Sequence, residues 1–174
     1  MTVRPLRLIG DPVLRTPCEP VVRFDDALAA LVGDLLDTVQ LPGRAGLAAN
    51  QIGSGVAVFC YNVDGERGYV INPVVTELTG EQDGPEGCLS VPGVSAELRR
   101  AAHAVVRGVD LNRQPVTVAA DGELARCLQH ETGHLRGELY IDLLAGEGRR
   151  AVMSQLRGTA IAAERWEAAE IGGR

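Results

Sequence analysis

His130, Glu131, Thr132, Gly133 and His134 follow one another, so two histidines four residues apart bracket a glutamate. In an α-helix, positions four apart project from nearly the same face. Both imidazoles can then bind one metal ion while Glu131, one step round, reaches a water on it. This is the geometry of a hydrolytic metal site, and it requires the segment 126–136 to be helical. Asp121 offers an N-cap oxygen, Leu124, Leu128, Glu131 and Leu135 follow at helical spacing, and Gly137 suits the left-handed position past the C-cap. Gly133 inside the helix costs about 1 kcal/mol relative to alanine. The chain has only 3 histidines, so chance is a poor explanation for two of them bracketing a glutamate.

A catalytic metal typically keeps three protein ligands and an open position, and this helix supplies two. The third reads as His103, as Cys88, or as an acidic residue after the helix: Glu138, Asp142 or Glu147. Spacing alone does not choose among them. Cys88 lies between Gly87 and Leu89 in a segment read as a loop after strands. A thiolate there would reach an ion while its neighbours' N–H groups faced a substrate. Cys18, Cys60 and Cys127 read as small buried hydrophobes. Four cysteines in 174 residues are too sparse for a disulfide scaffold, so reduced thiols are expected.

Composition narrows the classes. A chain of 174 residues, 45% apolar, reads as one domain over 1–174 that buries about 70% of its unfolded-chain surface. A net charge of −6 argues against a DNA-binding face. No apolar run approaches the ~20 residues of a bilayer crossing, and the N-terminus lacks the charged-then-apolar pattern of an export signal. A cytoplasmic protein with no DNA or membrane partner is expected.

Along the chain, Gly10, Pro12, Pro17 and Pro20 make 8–20 an extended surface segment with turns. Leu28, Leu31, Val32, Leu35, Leu36 and Val39 recur at three and four, predicting an amphipathic helix over 25–39 capped by Asp25 or Asp26. Residues 46–53 are small, as where backbone must approach something closely, and Gln51 is the one long polar side chain among them. The runs 56–61 and 69–78, the second interrupted by Pro73, form one hairpin. A loop is expected over 79–86, and 103–110 with 116–119 form a second hairpin. After a short apolar segment, 139–144, a further amphipathic helix is expected over 148–169, with Val152, Leu156, Ala160 and Ala163 along one side and Trp166 near its end. Helices and hairpins without βαβ repetition predict an α+β fold, with antiparallel sheet packed around the metal-binding helix and an amphipathic helix towards each terminus.

Three groups of residues resemble, in order, the signature motifs of the peptide deformylases: Gly46, Leu47, Ala48, Ala49 and Gln51; Glu86, Gly87, Cys88, Leu89 and Ser90; and the helix with His130, Glu131 and His134. The similarity extends to Gly10, Asp11 and Pro12, to Ile71, Asn72 and Pro73, and to Leu139, Tyr140, Ile141 and Asp142, so it spans nearly the whole chain. It implies a metal-dependent hydrolase that removes the formyl group from the N-terminal formyl-methionine of newly made polypeptides and releases formate. It implies Cys88, His130 and His134 as ligands of one divalent ion, typically Fe²⁺, with Zn²⁺ or Ni²⁺ able to occupy the site. By the same resemblance Glu131 is general base and then acid, and Gln51 and the Leu89 N–H stabilise the oxyanion. Gly46, with Ala45 and Gly87, would line a strand-like peptide. Arg126 and Cys127 would wall the methionine pocket, and Glu86 and Ser90 would brace the Cys88 loop. Formylated nascent peptides, met at the ribosome, are the implied partners.

Two positions depart from the family pattern. Gly133 stands where an aspartate is usual, and Arg44, followed by Ala45, replaces the first glycine of Gly-x-Gly-Leu-Ala-Ala. Arg44 is expected to point to solvent and leave formyl-methionyl peptides accepted. Three rival readings accompany the main one. The first is a zinc peptidase using Glu138, Asp142 or Glu147, and the second a deformylase-like enzyme for a specialised formylated substrate. The third is a non-catalytic module that meets RNA through Arg149, Arg150, Arg157 and Arg165. For that last reading, the interspersed Glu147, Glu164, Glu167 and Glu170 favour a solvated mixed-charge face instead.

Overall fold

Strands β1 (Gly46–Ala48), β2 (Val58–Val63), β3 (Glu66–Thr79), β4 (Pro85–Cys88), β5 (Val91–Glu97), β6 (His103–Val109) and β7 (Pro115–Asp121) form two antiparallel sheets in the computed structural model, which describes residues 2–158. One sheet runs β1-β2-β3-β6-β7; the other is the β4–β5 ribbon. Helices α1 (Asp26–Val39), α2 (Gly122–Leu135) and α3 (Gly146–Arg157) pack around them. The expected extension of the last helix to 169, with Ala160, Ala163 and Trp166, lies outside the described residues, as do Glu164, Arg165, Glu167 and Glu170.

The layer order follows from strand alternation. Leu47, Val58, Cys60 and Ile71 face α1, which buries Leu28, Val32, Leu35 and Val39 against them. Their neighbours Ala48, Phe59 and Val70 point the other way and receive Leu124, Ala125 and Leu128 of α2. The large sheet is thus sandwiched between α1 and α2. A third apolar cluster joins Val91 and Val94 of β5 to Tyr140, Ile141 and, from α3, Val152 and Leu156.

Local chemistry accounts for the turns. Asp64 (φ 49°) and Gly65 (φ 89°) both adopt the left-handed conformation that a two-residue hairpin turn requires between β2 and β3. A bulge in β3 after Ile71 holds Asn72 at φ 52°. Its side chain accepts from the Val21 N–H at 2.8 Å and donates to the Val21 carbonyl at 2.9 Å, clasping the N-terminal segment to the sheet. Further upstream the same segment donates from Arg7 N to the Gln51 carbonyl and from Ile9 N to the Ser90 carbonyl, each at 2.7 Å.

Several expectations are corrected. Segment 8–20 is not simply extended and superficial: Pro12–Arg15 forms a 3-10 turn capped by the Asp11 side chain, and Leu14 is fully buried. The region around Cys88 is not a loop but a hairpin, with β4 and β5 joined by the two-residue turn Leu89-Ser90. Asp25 does cap α1, accepting from Leu28 N at 3.1 Å. Asp121 stands at the N-cap of α2 but its carboxylate makes no capping bond; it pairs with His103 Nδ1 at 2.8 Å instead. Gly137 is left-handed (φ 78°), and a side chain there would collide with the Arg15 carbonyl carbon at 2.8 Å.

Candidate metal centre

The helical period of α2 brings His130 Nε2 and His134 Nε2 to 3.1 Å of each other. The tip of the β4–β5 hairpin places Cys88 Sγ 3.2 Å from His134 Nε2. Among the described residues, these three form the group of ligand-type atoms close enough to share an ion. A proton can bridge one pair of such atoms, whereas a dication satisfies all three. Ligand atoms in a tetrahedral site with bonds of about 2.0–2.3 Å lie roughly 3.3–3.5 Å apart; the two contacts of His134 Nε2 are of that order and all three atoms lie within 4.8 Å of one another, so the donor set can close on a divalent ion.

The other proposed third ligands are engaged elsewhere. His103 sits on β6 against Asp121, Glu138 is paired with Arg136 at 2.8 Å, Asp142 with Arg15, and the Glu147 side chain is 97% exposed. This removes the structural basis of the peptidase reading.

Glu86, two residues before Cys88 and on the same face of β4, accepts from His130 Nδ1 at 2.7 Å. That bond puts the ring proton on Nδ1 and leaves Nε2 free to ligate. The same carboxylate accepts from Arg100 at 2.6 and 2.9 Å and from Arg126 Nη1 at 3.0 Å. Burial pushes the Glu86 carboxyl up, but its bonds from Arg100 and His130 outweigh that and hold it at about 2. Burial likewise pulls the His130 imidazole down, while Cys88 and Glu86 raise it above its usual range. His134 is driven well below its usual range by burial and by His130, and so stays neutral.

Glu131 is 2% exposed, and burial pushes its carboxyl up to about 7 against the opposing pull of His130. Gly46 lies directly over it. A Cβ at position 46 would run into the Glu131 carboxylate and come within 2.7 Å of Cys127 Sγ, so the missing side chain makes room for Glu131 itself. The Cys127 thiol donates to the Ala45 carbonyl at 3.3 Å, and burial holds its pKa well above the ordinary thiol value. Gln51 Oε1 accepts from Ala48 N at 2.8 Å, which turns Nε2 towards Ser90 Oγ at 3.2 Å and Cys88 Sγ at 3.7 Å. Ser90 N in turn donates to Cys88 Sγ at 3.4 Å.

One cleft of about 620 Å³ is lined by Gln51, Cys88, Leu89, His130 and Glu131 together with Gly46, Ala45, Gly87, Arg126 and Cys127. His134 is sealed behind it at 1% exposure. Leu6, Val94 and Glu123 also face the cleft, and sequence reading did not find them. Arg126 is not solvent-facing: besides Glu86 it donates to the Leu98 carbonyl at 2.8 Å. Nor does Arg44 point freely to solvent. Its guanidinium donates to the Thr38 carbonyl at 2.9 Å, closing the C-terminal end of α1. A Cβ on Gly133 would lie 3.6 Å from Glu138 and 3.9 Å from Arg136, facing that ion pair. Arg100 was also missed, and its sequence position carries no signal. Glu86, read as a brace for the Cys88 segment, ties that segment to α2 through His130; its i−2 relation to Cys88 within a strand was the available clue.

Comparison with known proteins agrees with this geometry. A family model described as polypeptide deformylase matches residues 3–150. The chain is 50% identical over 157 residues to the peptide deformylase of Acidothermus cellulolyticus, covering 90% of this chain and 87% of that one. It is 46% identical to peptide deformylase 1 of Corynebacterium efficiens, covering 91% and 97%. Among solved structures, the peptide deformylase of Legionella pneumophila superposes with a TM-score of 0.85 at 33% identity, covering 96% and 98%. That of Thermus thermophilus gives 0.83 at 37% identity, covering 90% and 94%. The chain therefore belongs to the peptide deformylase family and is a metal-dependent hydrolase.

Proposed function

We propose that this protein, acting as one catalytic domain over 1–174, hydrolyses the formyl amide of N-terminal formyl-methionine and releases formate and a free amine. The observation that carries the reading is the convergence of Cys88 Sγ, His130 Nε2 and His134 Nε2 beside a buried glutamate at the floor of an open cleft. A divalent ion held by these three residues would supply Lewis-acid activation of water and of the formyl oxygen. Imidazole and thiolate together suit Fe²⁺, Zn²⁺ and Ni²⁺, with Fe²⁺ the expected resident by family resemblance.

Glu131 takes the proton from the attacking water as its oxygen bonds to the formyl carbon. It then delivers a proton to the departing nitrogen as the C–N bond breaks. A carboxyl poised near 7 serves both directions at neutral pH. Gln51 Nε2, fixed by the bond from Ala48 N to its Oε1, and the Leu89 N–H at the hairpin turn are the donors for the oxygen that gains negative charge. Gly46, Ala45 and Gly87 line the cleft that takes an extended peptide, and Arg126 and Cys127 wall the methionine pocket.

Nascent formylated chains are the substrates, which places the enzyme in the cytoplasm near the ribosome. Among the described residues, no helix is long and apolar enough to cross a membrane. The test is formate release from formyl-Met-Ala-Ser by anaerobically purified protein of known metal content. Stoichiometric Fe²⁺ without formate release would defeat the reading.

A further inference from the structure

Among the described residues, three buried side-chain polar atoms lack a hydrogen-bond partner: Asn50 Oδ1, Glu131 Oε2 and His134 Nδ1. Such orphans are uncommon enough in folded proteins to need a reason. Glu131 has one in the reaction proposed above. The other two atoms belong to residues that already touch: the Asn50 amide, 0% exposed, donates from Nδ2 to the backbone carbonyl of His134 at 2.6 Å. If His134 ligates through Nε2, its ring proton sits on Nδ1, and that N–H becomes a buried donor in need of an acceptor. Asn50 Oδ1, on the same carbon as the bonded nitrogen, is a buried acceptor in need of a donor.

We infer that Asn50 is the positioning residue for His134, its Oδ1 accepting from His134 Nδ1–H through one buried water. The inference rests on the metal-centre reading. It gives the two imidazoles unlike supports. His130 is held by the charged Glu86, itself neutralised by two arginines. His134 is held by a neutral amide that also grips its main chain. A water with a ring N–H and an amide oxygen as partners has the two hydrogen bonds a buried water needs.

The test uses protein loaded with Zn²⁺ alone and labelled with ¹⁵N-histidine. Two slowly exchanging imidazole N–H protons are expected, from His130 and His134, since the His103 ring pairs with a largely exposed carboxylate and exchanges with solvent. A single such proton, assigned to His130, would overturn the inference without any variant being made. Chelator competition then compares Asn50→Leu with Asn50→Asp. The leucine variant should lose about 10- to 100-fold in Zn²⁺ affinity, as removal of a ligand's hydrogen-bond partner does. The aspartate variant keeps the acceptor but not the Nδ2 donor and should retain most of the affinity. Equal losses in both would assign the effect to the Nδ2–carbonyl bond and refute the role of Oδ1. Zn²⁺ bound with these signatures but no formate release would defeat the deformylase reading and leave this one intact.

Discussion

Helix α2 and the β4–β5 ribbon bring ligand atoms to the same point, but only the helix does so by local geometry. Once α2 forms, the spacing of His130 and His134 is set by the helical period. Cys88 arrives from about 40 residues away in sequence, and its position depends on a register shift in the ribbon, a two-residue turn, and bonds from Gln51 and Ser90. The ribbon shares no strand ladder with the large sheet. What ties it to the helix is Glu86, one strand repeat from Cys88, with its carboxylate bonded to His130 and Arg126 of α2. A ligand pair on one element needs only that element; a ligand from a second element needs a cross-brace.

The comparison breaks most visibly at Cys88. Cys88→Ala should abolish stoichiometric metal binding and bring formate release to background; one tightly held ion per chain would mean that α2 suffices with some other donor. Glu131→Gln separates chemistry from binding within α2. The expected loss in kcat is about 10²- to 10⁴-fold, with metal content unchanged, and a parallel loss of metal would show that the glutamate holds the site's shape. Glu86→Gln tests the cross-brace. It leaves Arg100 and Arg126 without their carboxylate, at a cost of about 3–5 kcal/mol in stability, and lowers metal affinity by about 10- to 100-fold. Denaturant midpoints and chelator competition read the two effects, and a change in stability alone would uncouple the ribbon from the metal centre.

Further from the centre the effects shrink. Arg44→Ala removes a helix-terminal bond worth about 0.3–1 kcal/mol and should leave kinetics on formyl-Met-Ala-Ser unchanged; a large gain in activity would place Arg44 in the cleft after all. Asp142 offers a pH test. Partial burial raises its pKa, but the bonds from Arg15 and the Leu139 N–H outweigh this and hold it below the ordinary value. Its folded pKa being depressed, its contribution to stability is present above the unfolded-state value and fades as pH falls through the folded one. Asp142→Asn should therefore melt below wild type at neutral pH, the gap closing in acid. A gap independent of pH would remove charge as the cause.

The parts legible in the sequence were those governed by short-range periodicity. The α1 stripe from Leu28 to Val39 and the ligand pair on α2 both follow from spacings of three or four residues. Strand β4 escaped because Pro85 and Gly87, half of its four residues, are poor strand formers and mask the pairing with β5. The Asp121 cap failed through competition: His103, a cross-strand neighbour, takes the carboxylate. Arg126 read only as a wall of the methionine pocket, because Glu86 and Leu98, its hydrogen-bond partners, lie far away in sequence. The choice of third ligand was open for the same reason. His103 and Asp142 are each claimed by a partner that only folding brings near, while Glu138 is taken by Arg136, two residues away.

The segment that donates from Arg7 to the Gln51 carbonyl and from Ile9 to the Ser90 carbonyl touches the two residues that flank Cys88 Sγ. Leu6, next to it, faces the cleft. The early chain is thus a stitch through the back of the site, so a protein shortened past residue 9, or fused so as to pull on this stretch, should turn over substrate poorly even when its sheet and helices are intact.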